Sequence, residues 1–202
     1  MDAAHKRIFP FAILAFSLLS SIALADQAAE MERAKVFYDK QQMVDAFDLM
    51  KKLAEQNYLP AQARLGEMLD YTEADEEAVG WYLMAAFQGN AEGAYGLGKM
   101  YQSGEGIKKD LGQALFWFRF AAERDNLNAI KVLEVAYRIG EESELKVQAD
   151  LKESKLWETK RIPLEAALMK AEEEKRQALL KSIYEKQEAL KKEIEEANKK
   201  SR

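Results

Sequence analysis

The stretch Ala94–Asn126, AYGLGKMYQSGEGIKKDLGQALFWFRFAAERDN, decides the fold. It carries closely spaced glycines, an aromatic cluster and a near-match to a phosphate-binding loop. Gly93-Ala94-Tyr95-Gly96-Leu97-Gly98-Lys99-Met100 differs from G-x-x-x-x-G-K-[ST] at its last position. Met100 stands where a hydroxyl must reach magnesium, and no strand pattern precedes the glycines. The alternative is that the stretch is one unit of a repeat, and the rest of the chain favours that.

Trp81 heads WYLMAAFQGN and Trp117 heads WFRFAAERDN, which align at an offset of 36, including Ala85-Ala86 and Ala121-Ala122. Upstream, LGEML from Leu65 aligns with LGKMY from Leu97 and, more weakly, with LEVAY from Leu133. VQADLKESKLW, ending at Trp157, copies IKKDLGQALFW, ending at Trp117. A degenerate first unit places Ala46-Phe47-Asp48-Leu49 where Ala78 to Trp81 stands later. The steps Leu49 to Leu65, Trp81 to Leu97 and Trp117 to Leu133 are all 16 residues. The steps Leu65 to Trp81, Leu97 to Trp117 and Leu133 to Trp157 are 16, 20 and 24. Each unit is therefore two helices, A then B. The constant B-to-A step predicts tight stacking, and the stretching A-to-B step predicts a tolerant loop on one edge.

Local chemistry agrees. Leu97, Gly98 and Tyr101 share one helical face, where Gly98 admits a close neighbour despite costing about 1 kcal/mol in a helix. Gly104 and Gly106 suit the positive φ that ends helix A. Asp110 is placed to cap helix B, with Gln113 positioned for a capping box, and Asp150 with Glu153 repeats the pair. Ala114, Trp117, Phe118, Ala121 and Ala122 form one apolar stripe. The tryptophans are read as packing residues rather than as the lining of a ligand groove.

These residues resemble the Sel1-like repeat, a relative of the tetratricopeptide repeat. The pattern is Ala91, Tyr95, Leu97-Gly98, Met100-Tyr101, Gly104, Gly106-Ile107, Asp110, Ala114, Trp117-Phe118 and Ala121-Ala122. The unit from Ala61 to Asn90 lacks the glycine loop. The third keeps Tyr137, Gly140, Asp150 and Trp157 but lacks the Leu-Gly and Ala-Ala pairs. The resemblance spans about Ala34 to Trp157. It implies an all-α protein, a right-handed α-solenoid that holds other proteins. Some family members carry a disulfide in each repeat; this chain has no cysteine.

Residues 1–25 read as an export signal. Lys6 and Arg7 precede an uncharged run from Ile8 to Ala25, with Ala23-Leu24-Ala25 as a small-x-small cleavage site. Pro10 and three serines, Ser17, Ser20 and Ser21, argue against an uncleaved anchor, so no stable span is expected after cleavage. The whole chain has a formal net charge of −5, and removing the signal leaves −6, which does not favour nucleic acid. The three expected parts are the signal 1–25, a repeat solenoid 26–162 and a charged helical arm 163–202. Pro163 is read as the first turn of that arm, and Ala167 and Leu168 stand where the next helix A should begin. The arm is expected to be laced by Glu172–Arg176, Glu188–Lys192, Glu195–Lys199 and Glu196–Lys200 pairs. Leu179, Ile183, Leu190, Ile194 and Ala197 form a thin stripe interrupted by Lys186 and Glu193, a poor coiled-coil seam. Self-association through 164–200 is one possibility; a solvated charged helix is the plainer reading.

The one histidine, His5, lies inside the signal. Ser-His and Cys-His nucleophile pairs and the usual zinc ligand sets are therefore missing from the exported chain. No catalytic residue, metal or cofactor is expected. The inner faces of the A helices offer three rows: Ala63, Glu67 and Asp70; Tyr95, Lys99 and Gln102; Lys131, Val135 and Arg138. They run from acidic to basic and form a candidate partner-binding groove, with an ordinary wet surface as the alternative. The expected function is an exported, non-catalytic scaffold for a protein or peptide, in a bacterial periplasm or a secretory lumen. The alternatives are an envelope hydrolase or its activator using surface carboxylates, and a spacer that self-associates through the arm.

Overall fold

The structure, a computed structural model, describes residues 24–200, with side chains described through residue 189. The predicted export segment lies outside the described residues except for Leu24 and Ala25. Among the described residues the only regular structure is helical. Helix α1 covers 24–39. The following helices are α2 (Met43–Glu55), α3 (Leu59–Tyr71), α4 (Asp75–Phe87), α5 (Ala91–Ser103), α6 (Leu111–Glu123), α7 (Leu127–Ile139) and α8 (Leu151–Lys200). A single 3-10 turn, Gly140–Glu142, follows α7. Odd-numbered helices are the A helices and even-numbered ones the B helices, and neighbours in sequence pack together as an α-solenoid.

From α2 to α7 every helix is 13 residues long, so the repeat spacing is set by the loops. The B-to-A turns 56–58, 88–90 and 124–126 are three residues each. Their middle residues Asn57, Gly89 and Asp125 all take positive φ. The third residue of each donates its N–H back into helix B: Tyr58 to Leu53 O, Asn90 to Ala85 O, and Asn126 to Ala121 O. Asn90 and Asn126 then cap the next helix A, accepting from Gly93 N at 2.8 Å and Ala129 N at 2.9 Å. One turn thus closes one helix and opens the next, which leaves no room for insertion. The A-to-B loops 72–74, 104–110 and 140–150 hold 3, 7 and 11 residues, the predicted increments of four.

Close approach is achieved by missing side chains. A Cβ on Gly98 would lie 2.8 Å from the Phe118 ring, and one on Gly66 would lie 2.8 Å from the Tyr82 ring. Tyr82 also fills the space over Gly96, so a single ring is keyed into α3 and α5. Leu53, Leu65, Leu97, Ile130, Leu133 and Phe118 complete a fully buried core. Trp117 and Trp157 are buried, and Trp117 sits among Phe87, Phe116 and Phe120 with centroids 5.0–5.7 Å away. The tryptophans pack as expected: Trp117 makes edge-on contacts to all three rings, and Trp81 packs partly buried against the core.

Two expectations need correction. The capping boxes close on one side only. Asp110 Oδ1 accepts from Gln113 N, and Asp150 Oδ1 from Glu153 N. The returning half is absent because the N–H groups of Asp110 and Asp150 are already bonded to Tyr101 O and Tyr137 O. Those bonds tie the loop back to helix A, whatever its length.

Nor does Pro163 begin a helix. It lies inside α8, which runs unbroken from Leu151 to Lys200. The proline removes the bond to Thr159 O, a loss of about 3 kcal/mol in an unsupported helix. Here α8 is pinned to α7 on both sides of it, by Arg161–Glu134 and by Glu165–Lys131. In the arm, Arg176 pairs with Glu173 through two bonds of 2.8 and 3.0 Å rather than with Glu172. Residues Lys192, Glu195, Glu196, Lys199 and Lys200 of the other expected pairs lie outside the described side chains.

Candidate partner-binding groove

The near-match to a phosphate loop lies in the interior of α5. Gly93 faces Ala85, where a Cβ would come within 2.5 Å, and Gly98 faces Phe118. These glycines serve helix packing and cannot wrap a phosphate. Lys99 Nζ is 3.2 Å from Asp70 Oδ2. No group of three or more metal-ligating side chains occurs among the described residues.

Most charges of the sequence-predicted rows are used between neighbouring helices. Ala63 is buried, and Glu67 is bonded to Arg64 within α3. Asp70 and Lys99 join α3 to α5. Gln102 is bonded to Glu144 in the long loop after α7. Tyr95 is half-buried with its ring 5.7 Å from Phe118. Lys131 pairs with Glu165 of α8 at 2.9 Å. Val135 and Arg138 stay exposed. Burial first, then Asp70 and Glu67, push the Tyr82 hydroxyl well above its ordinary value. At the basic end Lys131 is neutralised locally, so the rows do not present a continuous field.

What sequence reasoning missed is the first helix of the same face. The offset of 32 that maps α5 onto α3 maps α3 onto 27–39, so Lys35 and Tyr38 continue the rows of Glu67 and Asp70. That offset was the available signal. It was obscured because Arg33 stands where Leu65 and Leu97 stand. Nevertheless α1 packs as a true helix A: Met31 and Ala34 are buried, and Glu30 pairs with Lys52 at 2.8 Å.

Helices α1, α2 and α3 enclose a cleft of about 770 Å³. Tyr38, Met43, Val44, Phe47, Met68 and Tyr71 supply most of its apolar wall. Lys35, Asp39, Arg64 and Glu67 bring both signs of charge to it, so Glu67 belongs to groove and cleft alike. Val44 is 75% exposed and Tyr71 90%, so both leave apolar surface open to solvent at the rim of the cleft. The volume falls within the range of sites that hold a small ligand or a few side chains.

The Sel1 repeat family profile matches residues 34–58, 59–90 and 91–126. A Sel1 repeat protein from Oxalobacter formigenes has a similar structure, with a TM-score of 0.56 and 30% identity over 66% of this chain and 56% of that one. The c5321 protein, a protective antigen of uropathogenic Escherichia coli strains with an SLR fold, has a TM-score of 0.56 and 28% identity. That likeness covers 72% of this chain and 32% of the antigen. The chain therefore spans about half and about a third of the lengths of these two structures. No curated protein matches the chain. Sel1 repeat proteins generally mediate protein–protein interaction and are typically non-catalytic. With three matched units, the shared helix-pair geometry and both structural likenesses in agreement, the chain carries Sel1 repeats across residues 34–126.

Proposed function

We propose that this chain is an exported, non-catalytic scaffold that grips a protein or peptide segment. The grip centres on the cleft between α1, α2 and α3 and extends along the inner face of α3, α5 and α7. The observation that carries this reading is the cleft itself: open, largely apolar, flanked by both charges and contiguous with Glu67 of the predicted rows. Apolar side chains of a partner would supply the affinity there, and charged neighbours would set its register. The inner rows contribute less, because Lys99, Gln102 and Lys131 must first give up their bonds to Asp70, Glu144 and Glu165.

Export rests on the pattern in residues 1–25, and a bacterial periplasm is the compartment proposed. Cleavage after Ala25 would keep Met31 and Ala34, the α1 residues that enter the core, in the exported chain. Crosslinking in the native envelope tests the function. Val44→Glu with Tyr71→Glu should abolish partner capture, whereas Lys99→Glu with Arg138→Glu should only reduce it. Capture unaffected by the cleft pair would overturn the reading.

A further inference from the structure

The described part of the arm carries a second apolar surface with nothing packed on it. Beyond Leu164, which touches the core, α8 continues as a helix whose faces are exposed. Most of it is densely charged, from Lys170 to Arg176 and again from Glu185 to Glu188. Between them lies 177–184, QALLKSIY, with Lys181 as its one charge. Leu179, Leu180, Ile183 and Tyr184 occupy positions i, i+1, i+4 and i+5 and so share one face. They are 61%, 51%, 44% and 65% exposed. A helix that serves only as a solvated spacer has no use for such a patch.

We propose that this patch docks into the α1–α2–α3 cleft of a second copy of the chain. The proposal deepens the functional reading above, since it names the occupant of the same cleft. Three observations carry it. The two surfaces are complementary in kind: the cleft is concave and apolar, and the patch is convex and apolar, in the manner of a helix docking in a groove.

Their charges also allow one opposite pairing, Lys181 with Asp39, since Lys35, Arg64 and Glu67 are already held by Glu32 and by each other. Lys181 and Glu185 border the patch, while Lys35, Asp39, Arg64 and Glu67 line the cleft. Asp39, Lys181 and Glu185 form no ion pair among the described residues.

Finally, the patch cannot reach the cleft of its own chain. The cleft is at the α1 end of the stack, and the arm leaves from the other end, after α7. Leu179 lies 15 residues past Leu164, about 22 Å further out along a helix without a break. The contact is therefore between unlike surfaces of two copies. Such a contact repeats head to tail, as a closed ring where the rotation between copies closes and as an open chain where it does not.

Sedimentation of the exported, purified protein over a concentration series tests this. The unaltered chain should self-associate, as a ring or an open chain, as concentration rises. Two variants, Val44→Glu with Tyr71→Glu in the cleft and Leu180→Glu with Ile183→Glu in the arm, should each remain monomeric. All four positions are exposed, and circular dichroism should show unchanged helix content. The decisive sample is an equimolar mixture of the two variants. It retains one intact cleft and one intact patch, and should give a heterodimer and nothing larger. An unaltered chain that stays monomeric at every concentration overturns the proposal. So does a cleft variant that still assembles, which would mean pairing of arm with arm. If the unaltered chain is monomeric yet the cleft variant loses capture of another envelope protein, only this inference fails. If the cleft variant changes neither readout, the functional reading fails with it.

Discussion

The α5–α6 and α7–α8 pairs solve the same packing problem by opposite means. At α5–α6 two helices approach because side chains are missing: Gly98 lies under the Phe118 ring, and Ala121 and Ala122 are fully buried beside it. At α7–α8 the positions equivalent to Gly98 and Ala121 are Glu134 and Arg161, found by offsets of 36 and 40. Instead of clashing they bond, Nε to Oε2 at 2.6 Å, with the Glu134 side chain only 12% exposed. Glu165 joins Arg161 to Lys131, and Ser154, at the position of Ala114, donates to Glu134 O. The second joint is also less completely satisfied, since the buried Trp157 Nε1 has no acceptor among the described residues. A repeat can therefore lose its signature residues and keep its geometry, provided that both partners change together. The cost is exposure to pH and salt.

The largest effect expected from breaking this comparison is at the steric joint. Gly98→Val would place a Cβ 2.8 Å from the fully buried Phe118 ring and should destabilise the fold by about 3 kcal/mol in denaturant unfolding. A glycine that is not a packing key should behave oppositely. Nothing lies within 4 Å of a Cβ on Gly80, so Gly80→Ala should stabilise by about 0.5–1 kcal/mol. A neutral Gly98→Val would mean that the helices do not meet there.

Next in size is the ionic joint. Arg161→Ala should lower the melting temperature by less than Gly98→Val does. Adding Glu134→Ala should cost less than the sum of the two single changes. The Arg161→Ala deficit should shrink in about 1 M salt, where screening acts within roughly 3 Å, while the Gly98→Val deficit should not. Equal salt response at the two joints would erase the distinction.

The smallest effect is the pH response. The hydrogen bond from Lys131, aided by Arg161, holds the Glu165 carboxyl below its ordinary value of 4.5. Its folded value lies below its unfolded one, so its contribution is whole above pH 4.5 and is lost as pH falls through the folded value. Amide exchange over 151–165, compared at about pH 6 and about pH 3 after correction for intrinsic rates, should show α8 loosening. The Gly98–Phe118 contact has no titrating group and should be unaffected.

Much of the fold was legible because its determinants are local or periodic. The constant turn could be read from one spacing, since its donors and acceptors lie within five residues of each other. Gly98, Gly104 and Gly106 announced a close approach and two positive φ values by residue type alone. The candidate rows were legible as positions on a face, but not as a site. Whether Lys99 waits for a partner or holds Asp70 depends on two residues 29 apart in sequence, on different helices.

The sequence by itself determined the helix-pair repeat, the fixed and variable loops and the packing role of the tryptophans, because these follow from short-range hydrogen bonds and apolar periodicity. Only the tertiary structure decided that α1 completes the first unit, that α8 runs through Pro163, that Glu134 and Arg161 replace a glycine and an alanine, and that three helices enclose a cleft. Each of these rests on groups brought together across helices, where the energy of a side chain is set by what faces it rather than by its neighbours along the chain.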